Sequence, residues 1–244
     1  GDGVNDTLAL KEADCSIAMA DGSEVARNIS HLVLLNSNFS SLPSVVEEGR
    51  RVINNVQKSS TLFFMKTVLA ILLSVFCIAI QIKYPFYPKN MFLLELFVIG
   101  IPSFFLALQP NKDVIKGNFI GYVLKHGIPY GLFMFANVMI VTLLWKFNIL
   151  TPSENQTLTT IMVTVAGYLN LLLLCLPITK FKFAIVLGSA VFLAIFGFTM
   201  PKFFGIIDVT QNVWKLALVL TLTTAVIHLI IFNIKLLIAK MKKA

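Results

Sequence analysis

The amino-acid sequence predicts a mostly α-helical membrane protein, with six transmembrane helices preceded by the end of a soluble α/β domain. Two observations carry that prediction. Hydrophobic residues make up 57% of the 244 and charged residues 13%, against roughly 45–50% and 25% in soluble domains. The apolar residues are also gathered into six runs, at 61–82, 91–109, 127–147, 157–177, 181–200 and 212–234. Each run is near the ~20 residues a helix needs to cross a bilayer. Helix is the form expected, because the bilayer core offers backbone groups no partner outside the segment.

Residues 1–46 read differently. Asp2, Asp6, Lys11, Glu12, Asp14, Asp21, Glu24 and Arg27 are scattered among short apolar stretches. Asp6 to Asp14 predicts a short helix with Leu8, Ala9 and Ala13 on its buried side. Ser16 to Met19 predicts a buried strand, Ala20-Asp21-Gly22 a turn, Glu24 to Ser30 a helix and His31 to Leu35 a second strand. Short strands alternating with helices argue an α/β layout, in a piece too short to be a whole domain. Residues 47–60 are polar and helix-compatible and read as a stalk. Pro43 suits a first turn, and Glu47 and Glu48 ahead of Arg50, Arg51 and Lys58 suit the helix dipole. This helix is expected to run on into the first span as one rod. Residues 61–236 then form the membrane domain and 237–244 a basic tail.

The connections have their own character. Tyr84-Pro85-Phe86-Tyr87-Pro88 predicts a rigid interfacial turn, Pro110 to Lys125 a longer polar gap, and Thr179-Lys180 a tight hairpin. Pro102 interrupts the second span and Pro129 lies near the start of the third. The formal charge is +8, but a nucleic-acid binder would cluster its basic residues on a soluble face. Here they lie in gaps between apolar runs, so no nucleic-acid partner is expected. Arg50, Arg51, Lys58, Lys112, Lys116, Lys125, Lys180, Lys182, Lys235, Lys240, Lys242 and Lys243 outweigh Lys83, Lys89, Lys146, Lys202 and Lys215 on the other side. That bias places the soluble piece and the C-terminus in the cytoplasm. The basic tail fits a stop-transfer role, or contact with anionic lipid heads. Cys15, Cys77 and Cys175 are far apart and predict neither a disulfide nor a zinc site. Gly1 stands inside a motif, so the chain is expected to be the C-terminal piece of a longer one.

That motif carries the chemistry. The chain opens GDGVNDTLALKEAD. Gly1 and Gly3 permit a tight turn beside a ligand. Asp2 and Asp6 place two carboxylates at the start of a helix, and Mg²⁺ near phosphate asks for one or two carboxylates and several waters. Asn5 can donate to a phosphoryl oxygen, a helix N-terminus favours anionic phosphate, and Thr7 can cap the turn. The competing reading is a surface Gly/Asp turn that caps a helix.

The string GDGVNDTLALKEADCSIAM resembles the hinge motif of P-type ATPases, members of the haloacid dehalogenase-like (Rossmannoid) phosphotransferases. The resemblance continues through DGSEVARNISHLVLLNSNFSSL, VVEEGRRVINNVQK and GIPSFFLALQPN, and through the pattern of six following spans. It implies a HAD-like phosphorylation domain ending near residue 46. Asp2 would be a ligand of catalytic Mg²⁺ and Asn5 a contact to the phosphoryl group. Asp6 would stand behind Asp2 or act as a further Mg²⁺ contact. It implies an ATP-driven cation pump that couples formation and hydrolysis of an aspartyl phosphate to transport. The phosphorylated aspartate of the family lies in a DKTG-type motif that this sequence lacks, so ATP would be bound mainly by upstream domains. The chain by itself is expected to be inactive, and its missing N-terminal part is an expected partner. The setting implied is a multi-pass protein of the plasma membrane.

Ionisable residues inside a span are costly and mark functional candidates. Lys66 in the first span and Glu95 in the second are two. Pro102 follows Glu95 within GIP, where a broken helix would free carbonyls for an ion. Calcium-pumping relatives of the implied family carry Asn and Glu in the first of these spans, and Asn-x-x-x-Asp before GLP in the second. Here Met65, Lys66, Thr67 and Ala70 occupy the first neighbourhood, and Glu95 and Ile99 the second. The expectation is at most one cation site, with Glu95 as anionic ligand and Lys66 as built-in counter-charge. Calcium or another small cation is the cargo, as in a similar group of bacterial pumps. Lys66 snorkelling to the interface and Glu95 standing near water are the alternatives. Thr67, Asn137 and Asn170 are weaker candidates; for the two asparagines and His228, helix–helix hydrogen bonding competes. Gln109, Asn111 and Asp113 fit either a docking loop or a solvated one. Two other functions stay open: a non-enzymatic six-helix channel or carrier, and a membrane-tethered HAD phosphatase.

Overall fold

The computed structural model describes residues 1–115, 117–207 and 210–241. Lys116, Lys242 and Lys243, counted above among the basic residues, lie outside them. The chain divides into two compact units, Gly1–Arg51 with Asn111–Val114, and Val52–Pro110 with Ile115–Ala244.

The first unit is an α/β piece. A tight turn at Val4–Asp6 leads into α1 (Thr7–Glu12), followed by β1 (Ile17–Met19), α2 (Glu24–Ile29) and β2 (Leu32–Leu34). The strands pair in parallel, with Ile17 opposite Leu32 and Met19 opposite Leu34. Parallel strands need a crossover, and α2 supplies it, capped by the Ser23 hydroxyl, which accepts the Ala26 N–H at 3.1 Å. Leu10, Ala18 and Ala26 form the core. The expected buried face of α1 is wrong. Leu8 is 81% exposed while Leu10 is buried. The helix starts at Thr7, and Ala13 has already turned extended. A position two residues from Leu10 is rotated by ~200° at 3.6 residues per turn, which sends Leu8 outward. Asn111–Val114 belongs to this unit, where Lys112 Nζ meets the Glu47 carboxylate at 2.6 Å.

Helix α3 (Leu42–Ala79) is continuous, with Pro43 at its second position. The second unit continues with α4 (Pro88–Leu94), a widened helical turn at Glu95–Gly100, α5 (Ile101–Ala107), α6 (Phe119–Lys146), α7 (Pro152–Leu174), α8 (Lys180–Thr199) and α9 (Gln211–Met241). Among the described residues six helical stretches are long and apolar enough to cross a membrane, each overlapping one predicted run. The chain is a multi-pass membrane protein. Two boundaries differ most from expectation. The third span begins at Phe119, because Asn118 caps it by accepting the Gly121 N–H at 2.7 Å, and the polar gap shrinks accordingly. The last helix runs past residue 236 to Met241.

The membrane core is a set of stripes at three- and four-residue spacing. Leu62, Met65, Leu69 and Leu73 of α3 meet Leu94 and Val98 of the second span, Met134 and Val138 of α6, and Ala166 of α7. Where α6 crosses α3, Gly127 and Gly131 remove the side chains. A Cβ on Gly127 would lie 2.6 Å from the Phe64 ring, and one on Gly131 2.5 Å from Val68. Small residues four apart let membrane helices approach closely. Gly131→Leu is therefore expected to destabilise the chain by about 1–3 kcal/mol through overpacking. Thermal unfolding in detergent micelles measures it, with Gly188→Leu, at a position with open space around it, as the unchanged control.

Asn90, fully buried at the start of α4, ties one end of the bundle. Its amide oxygen accepts the Tyr87 N–H at 2.9 Å and the Gln156 amide at 3.1 Å, and its amide nitrogen donates to Thr160 at 2.9 Å and to the Gly205 carbonyl at 3.3 Å. A buried polar side chain so satisfied is a structural tie.

Candidate functional site

Each unit holds one candidate. In the first, residues 1–6 run in front of α1, held by backbone hydrogen bonds. The Asp2 carbonyl accepts the Ser23 N–H at 2.7 Å, and the Gly1 carbonyl accepts the Met19 N–H at 3.3 Å. The loop is thereby fastened to the end of β1 and the start of α2. Asp6 turns back on it, with Oδ2 accepting the N–H groups of Asp2 at 2.9 Å and Gly3 at 3.1 Å. Thr7 caps the Val4–Asp6 turn as expected, its hydroxyl donating to the Val4 carbonyl. Asp2 and Asn5 are exposed, and among the described residues neither side chain has a hydrogen-bond partner.

The two carboxylates are thus unlike. One oxygen of Asp6 is committed to the loop, whereas Asp2 is unencumbered. Mg²⁺ takes one or two carboxylates and keeps several waters, so these residues fit it, with Asp2 as the readier ligand. No cluster of three or more His, Cys, Asp or Glu side chains suited to a metal occurs among the described residues.

The two N–H donors from Gly3 and Asp2 hold the Asp6 carboxyl below its ordinary value of 3.8. The folded loop therefore prefers the carboxylate. Its contribution is complete above the ordinary aspartate value and is lost as pH falls through the lower folded value. Following the Asp6 carboxyl carbon by NMR should give a midpoint below 3.8, and Gly3→Pro, which deletes the largest donor, should move it up.

The second candidate lies in the membrane unit. Lys66 of α3 and Glu95 form an ion pair, with side chains 37% and 39% exposed. The structure thus brings together the two intramembrane charges that stood apart in the sequence. Glu95 opens the widened turn. There the Ile101 N–H reaches the Leu96 carbonyl, five residues back, rather than Phe97. Pro102 is buried in the first turn of α5. The helix is widened here and not broken as expected, since one extra residue per turn absorbs the proline.

The weaker candidates do not join the pair. Thr67 is exposed, and its hydroxyl lies 3.4 Å from the Phe63 carbonyl of its own helix. Asn137 donates to the Phe133 carbonyl at 2.8 Å and accepts from Thr224. Asn170 donates to the Tyr130 carbonyl at 3.2 Å, and its Oδ1 is buried without a partner among the described residues. His228 Nε2 lies 3.1 Å from the Leu169 carbonyl. These are mainly bonds within or between helices.

Sequence reasoning passed over Ser189, buried on α8, whose hydroxyl donates to the Phe97 carbonyl. Its only signal is a hydroxyl in an apolar run. The Gly127-Ile-Pro-Tyr-Gly131 spacing was readable and went unused.

No protein-family profile matches the chain. A probable cation-transporting ATPase of Streptococcus pneumoniae is 35% identical over 197 residues, 78% of this chain and 25% of that protein. A calcium-transporting ATPase of Mycobacterium tuberculosis is 44% identical over 142 residues, 54% of this chain and 18% of that protein. A calcium-transporting ATPase of Bacillus subtilis is 35% identical over 118 residues, 48% of this chain and 13% of that protein. The chain thus spans a quarter or less of the length of these relatives.

Proposed function

This chain belongs to the P-type cation-transporting ATPases, and we propose that it forms the C-terminal part of an ATP-driven pump for calcium or another small cation. Its first unit would be the end of a HAD-like phosphorylation domain on the cytoplasmic side of the plasma membrane, and its second the cation pathway. The single observation that carries the transport reading is the Lys66–Glu95 pair, which places a carboxylate and its counter-charge together inside the spans. Charged groups there are costly unless they serve each other or an ion.

In this reading Asp2 holds Mg²⁺, which when bound would supply positive charge against the transferring phosphoryl group. Asn5 donates to a phosphoryl oxygen. Asp6 keeps the loop in shape through its bonds to the Asp2 and Gly3 amides, so its role is to position Asp2. ATP is held mainly by the remainder of the pump. In the membrane, Glu95 takes the cation and Lys66 takes its place when the cation leaves. One carboxylate with a resident ammonium suits one cation site. Asn170, with its orphan oxygen, is the secondary ligand to examine.

The test is ATP hydrolysis by the complete pump in liposomes against Ca²⁺, Mg²⁺, Mn²⁺, K⁺ and Na⁺. Stimulation by one cation, with uptake of that cation into the vesicles, supports the reading. Hydrolysis indifferent to all of them removes the cation site and leaves only phosphoryl transfer.

A further inference from the structure

The widened turn leaves one carbonyl in an unusual position. In an ordinary helix the Phe97 carbonyl would accept from Ile101. Here the Ile101 N–H goes to Leu96. The next backbone donor in the five-residue pattern would be residue 102, and Pro102 has no N–H. The Phe97 carbonyl is therefore deprived twice, inside a bundle where an unpaired backbone group is expensive.

Ser189 answers this need. It is 2% exposed on α8, and its hydroxyl donates to the Phe97 carbonyl. The same face of α8 carries Phe192 and Phe196, whose rings stack on Phe97 at 6.0 and 5.1 Å. Three side chains of α8 therefore grip the residue two places beyond Glu95. Helix α8 has no acid of its own, and nothing in its sequence marks it as part of a cation pathway.

We infer that Ser189 is a positioning residue of the cation site, holding the Phe97 carbonyl so that the turn stays wide and Glu95 stays opposite Lys66. Without the hydroxyl, the Ile101 N–H is the available donor for Phe97. Taking it would tighten the turn and rotate Glu95 by ~100° relative to the helix beyond it. This rests on Glu95 being the cation ligand.

The experiment is cation-stimulated ATP hydrolysis by the complete pump, read as the concentration for half-maximal stimulation separately from the maximal rate, with the stimulating cation of the panel above. Ser189→Ala is expected to raise that concentration about tenfold, from the loss of one buried hydrogen bond. Ser189→Thr, which keeps the hydroxyl, should restore it. Pro102→Ala returns an N–H to the position that can serve Phe97, so in that background Ser189→Ala should shift the concentration much less. Unchanged half-saturation in Ser189→Ala, with only a lower maximal rate or yield, would make Ser189 merely structural and overturn the inference. Equal shifts in both backgrounds would overturn it as well. Glu95→Gln separates the two levels. If it shifts cation dependence while Ser189→Ala does not, only the Ser189 inference falls; if Glu95→Gln shifts nothing, the site reading and the inference fall together.

Discussion

Asp2→Asn in the complete pump is expected to lower Mg²⁺-dependent ATP hydrolysis by about 100-fold or more, the scale on which removing one preorganised electrostatic stabiliser is felt. The side chain keeps its size and loses its charge. Because the Asp2 side chain is exposed and has no hydrogen-bond partner among the described residues, the fold should not register the change. Asp6→Asn should behave differently. An amide oxygen can still accept from the Asp2 and Gly3 amides, so much of the loop's shape survives and the loss should be smaller. Asp6→Ala, which removes that acceptor, should be the more damaging change at position 6. The measurement is hydrolysis against Mg²⁺ concentration for the three variants, with circular dichroism to verify the fold. Wild-type Mg²⁺ dependence in Asp2→Asn would end the assignment of Asp2 as metal ligand.

Glu95→Gln should destabilise the membrane unit and change cation dependence at once. It strands the Lys66 ammonium among helices, and a lone Lys at the centre of a span costs about 2.5–3.5 kcal/mol. The pair is more than a third exposed in this chain, which discounts the full effect, so about 1–2 kcal/mol is expected. Lys66→Met alone should strand Glu95 in the same way. The double variant removes both charges and should be more stable than either single one, because the cost lies in leaving one partner alone. Thermal unfolding of the four proteins in lipid nanodiscs gives the coupling directly. Strict additivity would mean that the two side chains do not depend on each other, and the built-in counter-charge would have to be abandoned. Cation-stimulated hydrolysis of the same four variants gives the functional half. Glu95→Gln should lose or shift the stimulation, and Lys66→Met should leave it present at altered concentration.

The sequence alone determined the spans, the α/β character of the opening piece and the hinge-like string, because each is written in adjacent residues. A run of twenty apolar residues has one outcome in a bilayer, and a motif is local by definition. The same locality explains its errors. Leu8 was assigned to the core of α1, yet which side of so short a helix is buried depends on the neighbours that it meets. Asp6 was expected either behind Asp2 or beside it on Mg²⁺, and only the folded loop shows that Asp6 is engaged with two backbone amides. Lys66 and Glu95, expected as counter-charge and ligand, are 29 residues apart, and only the fold puts the two side chains in contact. The widened turn was legible only as a proline after Gly-Ile. Its true form depends on Ser189, which lies 92 residues from Phe97. Tertiary structure decided these points because a side chain's partner is a matter of distance in space. Hydropathy and spacing report only what a residue needs, and packing decides which other residue supplies it.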